Sequence, residues 1–282
     1  MREMFKKYAE EFASGNTSVE HITNLKRIME ENLLFHEEGA CLEKIYNITK
    51  DAKLYEKIGD VFLYKVGIPA IANAAYNKYI KLKMPEFYDK WAKNIKSLGV
   101  NCVDCEADDD NIPEQASTLY DNYDLIVYMI ICLCKNKDYD VVMDLSVYLN
   151  TIRNKLLQYN IHNPAFSSFE KNLQDSQNHL SDILSEIKNR NDINEFAIQL
   201  NPENKQAYIN IIEDHIEYDR LEDAIKFYNE NYAAKFNLPN KYSVVDICWT
   251  ISDYYKDFYN FYDAVRLQKC ALELELNTEY KE

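Results

Sequence analysis

The 282-residue chain is poor in the residues that tight turns are built from, with five glycines and six prolines. Sheet proteins and glycine-rich phosphate loops need many residues that tolerate positive φ or fix a bend. Their scarcity excludes a large β-sandwich, a collagen and a low-complexity chain. No GxGxxG, GxxxxGK[ST], GxSxG or HExxH pattern occurs. Nothing therefore points to dinucleotide, nucleotide, α/β-hydrolase or zincin chemistry, and neither a catalytic group nor a cofactor is expected. No run approaches the roughly 18 apolar residues of a membrane span. The longest, residues 125–134, has the length of a buried helix. The first residues lack an apolar leader, so a cytoplasmic location is expected. Positive charge is also short: 32 Lys and Arg stand against 47 Asp and Glu, a net −15. Nucleic-acid phosphates repel such a surface, and no nucleic-acid partner is expected.

What is present is 47 % apolar and 28 % charged residues, a globular composition. The charge is uneven. Residues 1–99 hold 16 basic and 14 acidic side chains, and residues 100–282 hold 16 and 33. The change falls in a stretch with Asp104, Glu106, Asp108, Asp109 and Asp110 that lacks apolar period and ends in Pro113. The expected organisation is a helical region at 1–99, an acidic linker at 100–114, a helical middle at 115–200 and repeats at 201–282. Cys102 and Cys105 form a CxxC with no second pair to complete a tetrahedral zinc site. The carboxylates between 104 and 110 lack the glycine of an EF-hand loop, and Gln115 stands where its bidentate glutamate belongs. No metal site is expected. The seven cysteines read as small buried hydrophobes of a reducing compartment.

Apolar residues recur at spacings of three and four through most of the chain, as in Ile22, Leu25, Ile28 and Met29. Breakers such as Gly15, Gly67, Pro85, Pro164, Pro202 and Pro239 cut the chain into helices joined by short loops, which predicts antiparallel hairpins. From Lys205 the pattern runs Tyr208, Ile211 and Ile212, a polar turn at Tyr218-Asp219-Arg220, then Ala224, Ile225 and Tyr228. From Val245 it runs Cys248, Ile251, Ser252 and Tyr255, a turn at Tyr259-Asn260, then Ala264, Leu267 and Ala271. A third copy runs Tyr55, Ile58, Gly59 and Phe62, then Ala72 and Tyr76, its second helix arriving one residue late. The small residues let two helices approach closely.

This pattern resembles the tetratricopeptide repeat (TPR) family, over about 105 residues. Ala224 and Ala264 lie 40 residues apart, longer than the ~34-residue family period, with the surplus in the loop around Phe236-Asn237-Leu238-Pro239-Asn240. Ile212 replaces a small residue, His215 an aromatic, and Asn231 the second small residue of its hairpin. The resemblance implies an all-α fold of antiparallel hairpins stacked as a right-handed α-solenoid, whose concave face binds a partner. It places Glu213 and Glu217 of one first helix, and Asp246, Trp249, Asp253 and Asp257 of the next, on that face. Five acids around one tryptophan suit a basic protein or peptide, through ion pairs and a cation–π or apolar anchor. Carboxylates at these positions would repel a peptide's C-terminal carboxylate, so a chaperone clamp is not expected. The expected function is a non-catalytic interaction scaffold. Alternatives are a peptide-sensing regulator, and an accessory repeat region working with a surface-polymer glycosyltransferase.

Overall fold

The structure is a computed structural model that describes residues 1–85, 88, 114–159 and 167–279. Every regular element among them is helical. The thirteen helices are α1 (Arg2–Ser14), α2 (Val19–Glu31), α3 (Phe35–Thr49), α4 (Lys53–Asp60), α5 (Pro69–Lys83), α6 (Glu114–Lys135), α7 (Tyr139–Tyr159), α8 (Ser167–Ser185), α9 (Asn191–Leu200), α10 (Lys205–Glu217), α11 (Leu221–Phe227), α12 (Val244–Asp257) and α13 (Phe261–Glu279). Helix α4 continues into a π-helical segment, Val61–Val66, and α11 continues through a second, Tyr228–Ala233, to Ala234–Phe236. No helix of the described residues is long and apolar enough to cross a membrane.

The helix ends follow from local chemistry. Gly15 and Gly67 close α1 and the first π segment in the left-handed conformation, at φ 92° and 77°. The side chains of Ser18, Asn204 and Ser243 accept backbone N–H groups at the starts of α2, α10 and α12. Pro69 opens α5, where its missing N–H costs nothing.

One turn recurs in four hairpins, α2–α3, α6–α7, α10–α11 and α12–α13. Each has a single non-glycine residue in the left-handed region: Leu33, Lys137, Asp219 or Tyr259, at φ between 56° and 59°. The next residue donates its N–H to a carbonyl five positions back. These bonds are Leu34 to Met29, Asp138 to Leu133, Arg220 to His215 and Asn260 to Tyr255, at 2.8–2.9 Å. This is the long bond of a Schellman ending. It explains how a helical protein manages with so few glycines. Beyond each turn, the same register brings a buried residue to the crossing with the first helix: Glu38, Val142, Ala224 and Ala264, all at most 2 % exposed. In α12–α13 the Ser252 hydroxyl reaches across to the Ala264 carbonyl at 3.1 Å. In α2–α3 the corresponding contact is an ion pair, Lys26 with Glu38 at 3.5 Å.

The π segments account for two irregularities of the sequence pattern. A π turn accommodates one extra residue. The segment at Val61–Val66 lies where the third copy is one residue late, so Ala72 still reaches a buried position, 1 % exposed. Gly59 is needed at that crossing, because a Cβ there would lie 2.4 Å from the Tyr76 ring. The segment at Tyr228–Ala233 turns Asn231 outward and Tyr232 and Ala233 inward. The polar Asn231 thus never occupies the small-residue position that the family pattern assigns it.

The helices divide into two compact units, Met1–Ser176 and Gln177–Glu282. In the first, α6 is the central element. Leu125, Ile126, Met129, Ile130, Cys132 and Leu133 are fully buried, and α1, α2, α3 and α7 pack around it. A helix apolar on every side must be enclosed in this way. In the second unit, consecutive helices pack from α9 to α13, and a core of Ile209, Ile212, Ala224, Tyr228, Ile247, Ile251, Leu267 and Ala271 runs through them. The expected acidic linker, apart from the backbone of Glu114, lies outside the described residues. Helices α5 and α6 on its two sides belong to the same unit.

Candidate functional site

The second unit carries all six residues expected to bind a partner. On α10, the apolar positions Ile209 and Ile212 face the core and are fully buried. Glu213 and Glu217, one turn apart, line a cleft of about 540 Å³ between α10 and α13. Glu217 is exposed, whereas Glu213 is only 8 % exposed.

A carboxylate that far from water needs partners. Glu213 finds one in Arg266 of α13, whose Nη2 donates to Oε2 at 2.5 Å. Arg266 Nε donates to Asp263 Oδ1 at 3.1 Å, and Lys188 Nζ lies 3.2 Å from Asp263 Oδ2. The second oxygen of Glu213, Oε1, is buried on the side of the Tyr255 hydroxyl, which hydrogen-bonds this carboxylate. The Tyr255 hydroxyl beside it accepts from Gln206 Nε2 at 3.0 Å, and burial, with the Glu213 carboxylate adding, pushes this phenol far above its usual value. Burial works to lower the Arg266 guanidinium, but the Glu213 and Asp263 carboxylates together outweigh it and push it up. The ammonium and amide donors around Asp263 hold its carboxyl down against burial. Cys270 lines the same cleft, and a hydrogen bond from the buried Cys248 thiol holds it below the ordinary thiol value.

The four α12 residues form a separate set. Asp246, Trp249, Asp253 and Asp257 recur every three or four positions on the side of α12 away from Ile247, Ile251 and Tyr255. All four are exposed, Trp249 at 37 %. Asp253 is ion-paired to Lys256 along the helix at 2.8 Å. None of the four lines the α10–α13 cleft. The structure thus brings Glu213 and Glu217 together with residues of α13, and groups the α12 four among themselves.

Arg266, Asp263 and Lys188 were not legible as site residues in the sequence. The family pattern marks only first-helix positions, and these lie on a second helix and in a loop. The one available signal was the spacing of three between Asp263 and Arg266 on a helix.

The first unit has its own charged cleft of about 540 Å³, beside α2, α3 and α4. Glu38, 2 % exposed, receives Lys65 Nζ at 2.8 Å, and Lys65 also contacts Glu30. Lys26 and Lys65 hold the Glu30 carboxyl down to about 2. Deeper in the unit, Lys44 Nζ lies 2.6 Å from Asp121 and 3.1 Å from Asp124. Each of these carboxylates touches a lysine, and the clusters read as packing.

Cys102 and Cys105, and the acidic residues 104–110, lie outside the described residues. Among the described residues no three His, Cys, Asp or Glu side chains converge in a metal-binding cluster. His215 is half-buried near the Phe227 ring, and burial and the Arg220 guanidinium push it below its ordinary value.

No family model matches the chain, and no curated protein matches it.

Proposed function

We propose that this chain is a non-catalytic helical-repeat scaffold, of TPR-like right-handed solenoid type, that holds a basic protein or peptide segment. The observation that carries the reading is the outer side of α12. It presents three aspartates and a half-exposed tryptophan in one row, with a single lysine among them. A large apolar ring kept at the surface beside excess negative charge suits an anchor for a cationic segment. The recurring hairpin turn and its constant register support the repeat architecture, because stacked hairpins of one geometry are what a solenoid is made of.

The test is a fluorescence-anisotropy titration of the full chain with labelled basic, neutral and acidic peptides. Basic peptides are expected to bind, with affinity falling as salt rises. Trp249→Ala should weaken binding by more than about 1 kcal/mol, as for an anchor residue. Asp253→Asn with Asp257→Asn should flatten the salt dependence. Binding that ignores all three substitutions, or a preference for acidic peptides, overturns the reading.

A further inference from the structure

We infer that Cys270 and Cys248 form a modification site, in which a hydroperoxide oxidises the half-buried Cys270 at the α10–α13 cleft and the buried Cys248 behind it closes a disulfide across the α12–α13 hairpin. The site needs neither the α12 row nor a basic partner.

The packing brings the two sulfurs together. Ser252 fixes the register of α12 on α13. Its hydroxyl donates to the Ala264 carbonyl at 3.1 Å and accepts from Gln268 Nε2 at 3.0 Å. Cys248 stands one turn back along α12. In an antiparallel hairpin it therefore meets α13 beyond Gln268, at the level of Cys270 and Ala271. Ala264 and Ala271, 2 % and 0 % exposed, keep the helices close at this crossing, as a disulfide with Cα atoms within about 7 Å requires. The Cys248 thiol donates a hydrogen bond to the Cys270 sulfur. Cys248 belongs to the core of the unit, and Cys270 packs on that core from its edge. Cys270 also lines the cleft of about 540 Å³, so it is the one of the two that meets a reagent from solvent.

The surroundings decide which sulfur carries charge. Arg266, which lines the same cleft, lies one turn before Cys270 on the same side of α13. The Cys248 hydrogen bond and the Arg266 guanidinium bring the Cys270 thiol down to about 7, against burial and the Glu273 and Glu213 carboxylates. Cys248, donating to that sulfur and buried, is pushed up. Burial pushes Cys41, Cys132 and Cys134 up as well, to about 12, 11 and 12. Cys270 is thus the nucleophile among the described cysteines.

With hydrogen peroxide the atoms balance in two steps. The Cys270 thiolate attacks one peroxide oxygen, the O–O bond breaks, and hydroxide leaves, giving a sulfenic acid. The Cys248 sulfur then attacks the Cys270 sulfur. The S–S bond forms, the S–O bond breaks, and the Cys248 proton leaves with the hydroxyl as water. The two sulfurs lose two electrons, which the peroxide gains.

The experiment treats the fully reduced full chain with hydrogen peroxide, blocks the remaining thiols with N-ethylmaleimide, and maps a non-reduced digest by mass spectrometry. The main product should be a Cys248–Cys270 linked peptide, lighter by two hydrogens. It should form equally in Cys102→Ser with Cys105→Ser, which removes the CxxC as a rival pair. Cys248→Ala should stop at the Cys270 sulfenic acid, which dimedone traps, and Cys270→Ala should leave Cys248 reduced. Before oxidation, iodoacetamide at pH 7 should alkylate Cys270 about tenfold faster than Cys134, in line with their thiolate fractions. The product map and the alkylation rates need no substitution at the buried Cys248, so they decide the matter if Cys248→Ala does not fold. A main product other than the Cys248–Cys270 bond, oxidation of Cys248 in Cys270→Ala, or alkylation of Cys270 no faster than of Cys134 overturns the proposal.

Discussion

Both units bury ions, among them Glu213, Asp214 and Asp263 in the second, but the second adds a seam of linked amides. In Met1–Ser176 the interior holds ions. Lys44 sits between Asp121 and Asp124, and Glu38 sits against Lys65 and Lys26. In Gln177–Glu282 the seam between α8, α9 and α10 holds amides. Asn204 donates to Ser181, Asn210 donates to the Ser185 carbonyl and to Asn194, and Asn194 donates to the Ile187 carbonyl, at 2.7–3.1 Å. The connectivity differs in the same sense. Helix α1 packs on α6 and α7, more than a hundred residues away in sequence, with Lys155 donating to the Ala13 carbonyl at 2.6 Å and Asn122 to the Phe12 carbonyl at 2.9 Å. From α9 to α13, each helix packs on the next. The first unit is thus a bundle closed by distant contacts, and the second is a row of neighbours. Closing distant contacts costs chain entropy that only the completed bundle repays. Damage to the first unit should spread through it, whereas damage to the second should stay near the altered hairpin.

The sharpest way to break this contrast is Lys44→Met. It leaves the buried Asp124 carboxylate beside the half-buried Asp121 without a cation, and loss of one partner from a buried cluster costs about 3–5 kcal/mol. The carboxylates raise the Lys44 ammonium well above its ordinary value. Its stabilisation is therefore complete below about pH 10.5, the ordinary lysine value, and is lost as pH rises through the folded value. Burial raises Asp124 despite Lys44, so the stability that this carboxyl contributes is greatest in acid and is lost as pH rises through its folded value. The variant should accordingly recover part of its deficit near pH 4 relative to pH 8. Thermal melts at both values check the sign, and hydrogen exchange checks the extent. Exchange accelerated only around α3 and α6 would count against a cooperative first unit.

The amide seam gives the matching test. Asn210→Ala orphans the Ser185 carbonyl and the Asn194 side chain, at about 1–3 kcal/mol for buried groups left unsatisfied. No ionisable group is removed, so the loss should be the same at pH 5 and pH 8. A strongly pH-dependent loss would mean that the seam is coupled to the ion pairs around Asp263.

A third pair of variants asks whether hairpins in the two units cross alike. Ala224→Leu and Gly59→Ala each force atoms into a crossing that is already full, at Ala224, 0 % exposed, and at the Tyr76 ring. Each should cost about 1–3 kcal/mol. For Gly59→Ala, a gain of up to about 1 kcal/mol in helix propensity works in the opposite direction. An unchanged melting temperature in both would place the crossings elsewhere.

These residues also mark how far the sequence could be read. The small side chains at 59, 224 and 264 announce close helix crossings, and all three sit at one. The α2–α3 and α6–α7 hairpins use the same register but were not legible. Lys26 meets Glu38 at the first, and the buried Val142 stands at the same register in the second, so no small residue announces either. The π segments were visible only as misplaced residues, because a one-residue insertion in a helix has no composition of its own. The cleft was half visible. Glu213 and Glu217 follow from helical spacing, but the partner that buries Glu213 comes from α13, and periodicity along one helix says nothing about what packs on it.

The smallest effect tests the feature that both units share. Leu33 and Lys137 in the first unit, and Tyr259 in the second, hold the left-handed position of the same turn at φ 57–59°. That conformation costs an L-residue about 1–2 kcal/mol relative to the right-handed region. Glycine removes the penalty but loses more chain entropy on folding, about 0.5–1 kcal/mol. Leu33 and Tyr259 are 67 % and 82 % exposed, so their side chains give up little burial when deleted. Each glycine substitution should therefore stabilise by roughly 0.5–1 kcal/mol. Asp219→Gly should gain less, because a short polar side chain tolerates this region better. Since the backbone geometry is common to the two units, Leu33→Gly and Tyr259→Gly should agree to within about 0.5 kcal/mol, the usual limit of additivity for independent sites. Chemical denaturation of each single variant and of the double variant measures this. A gain at one turn beside a loss at the other would show that the four hairpins share a shape without sharing its energetics.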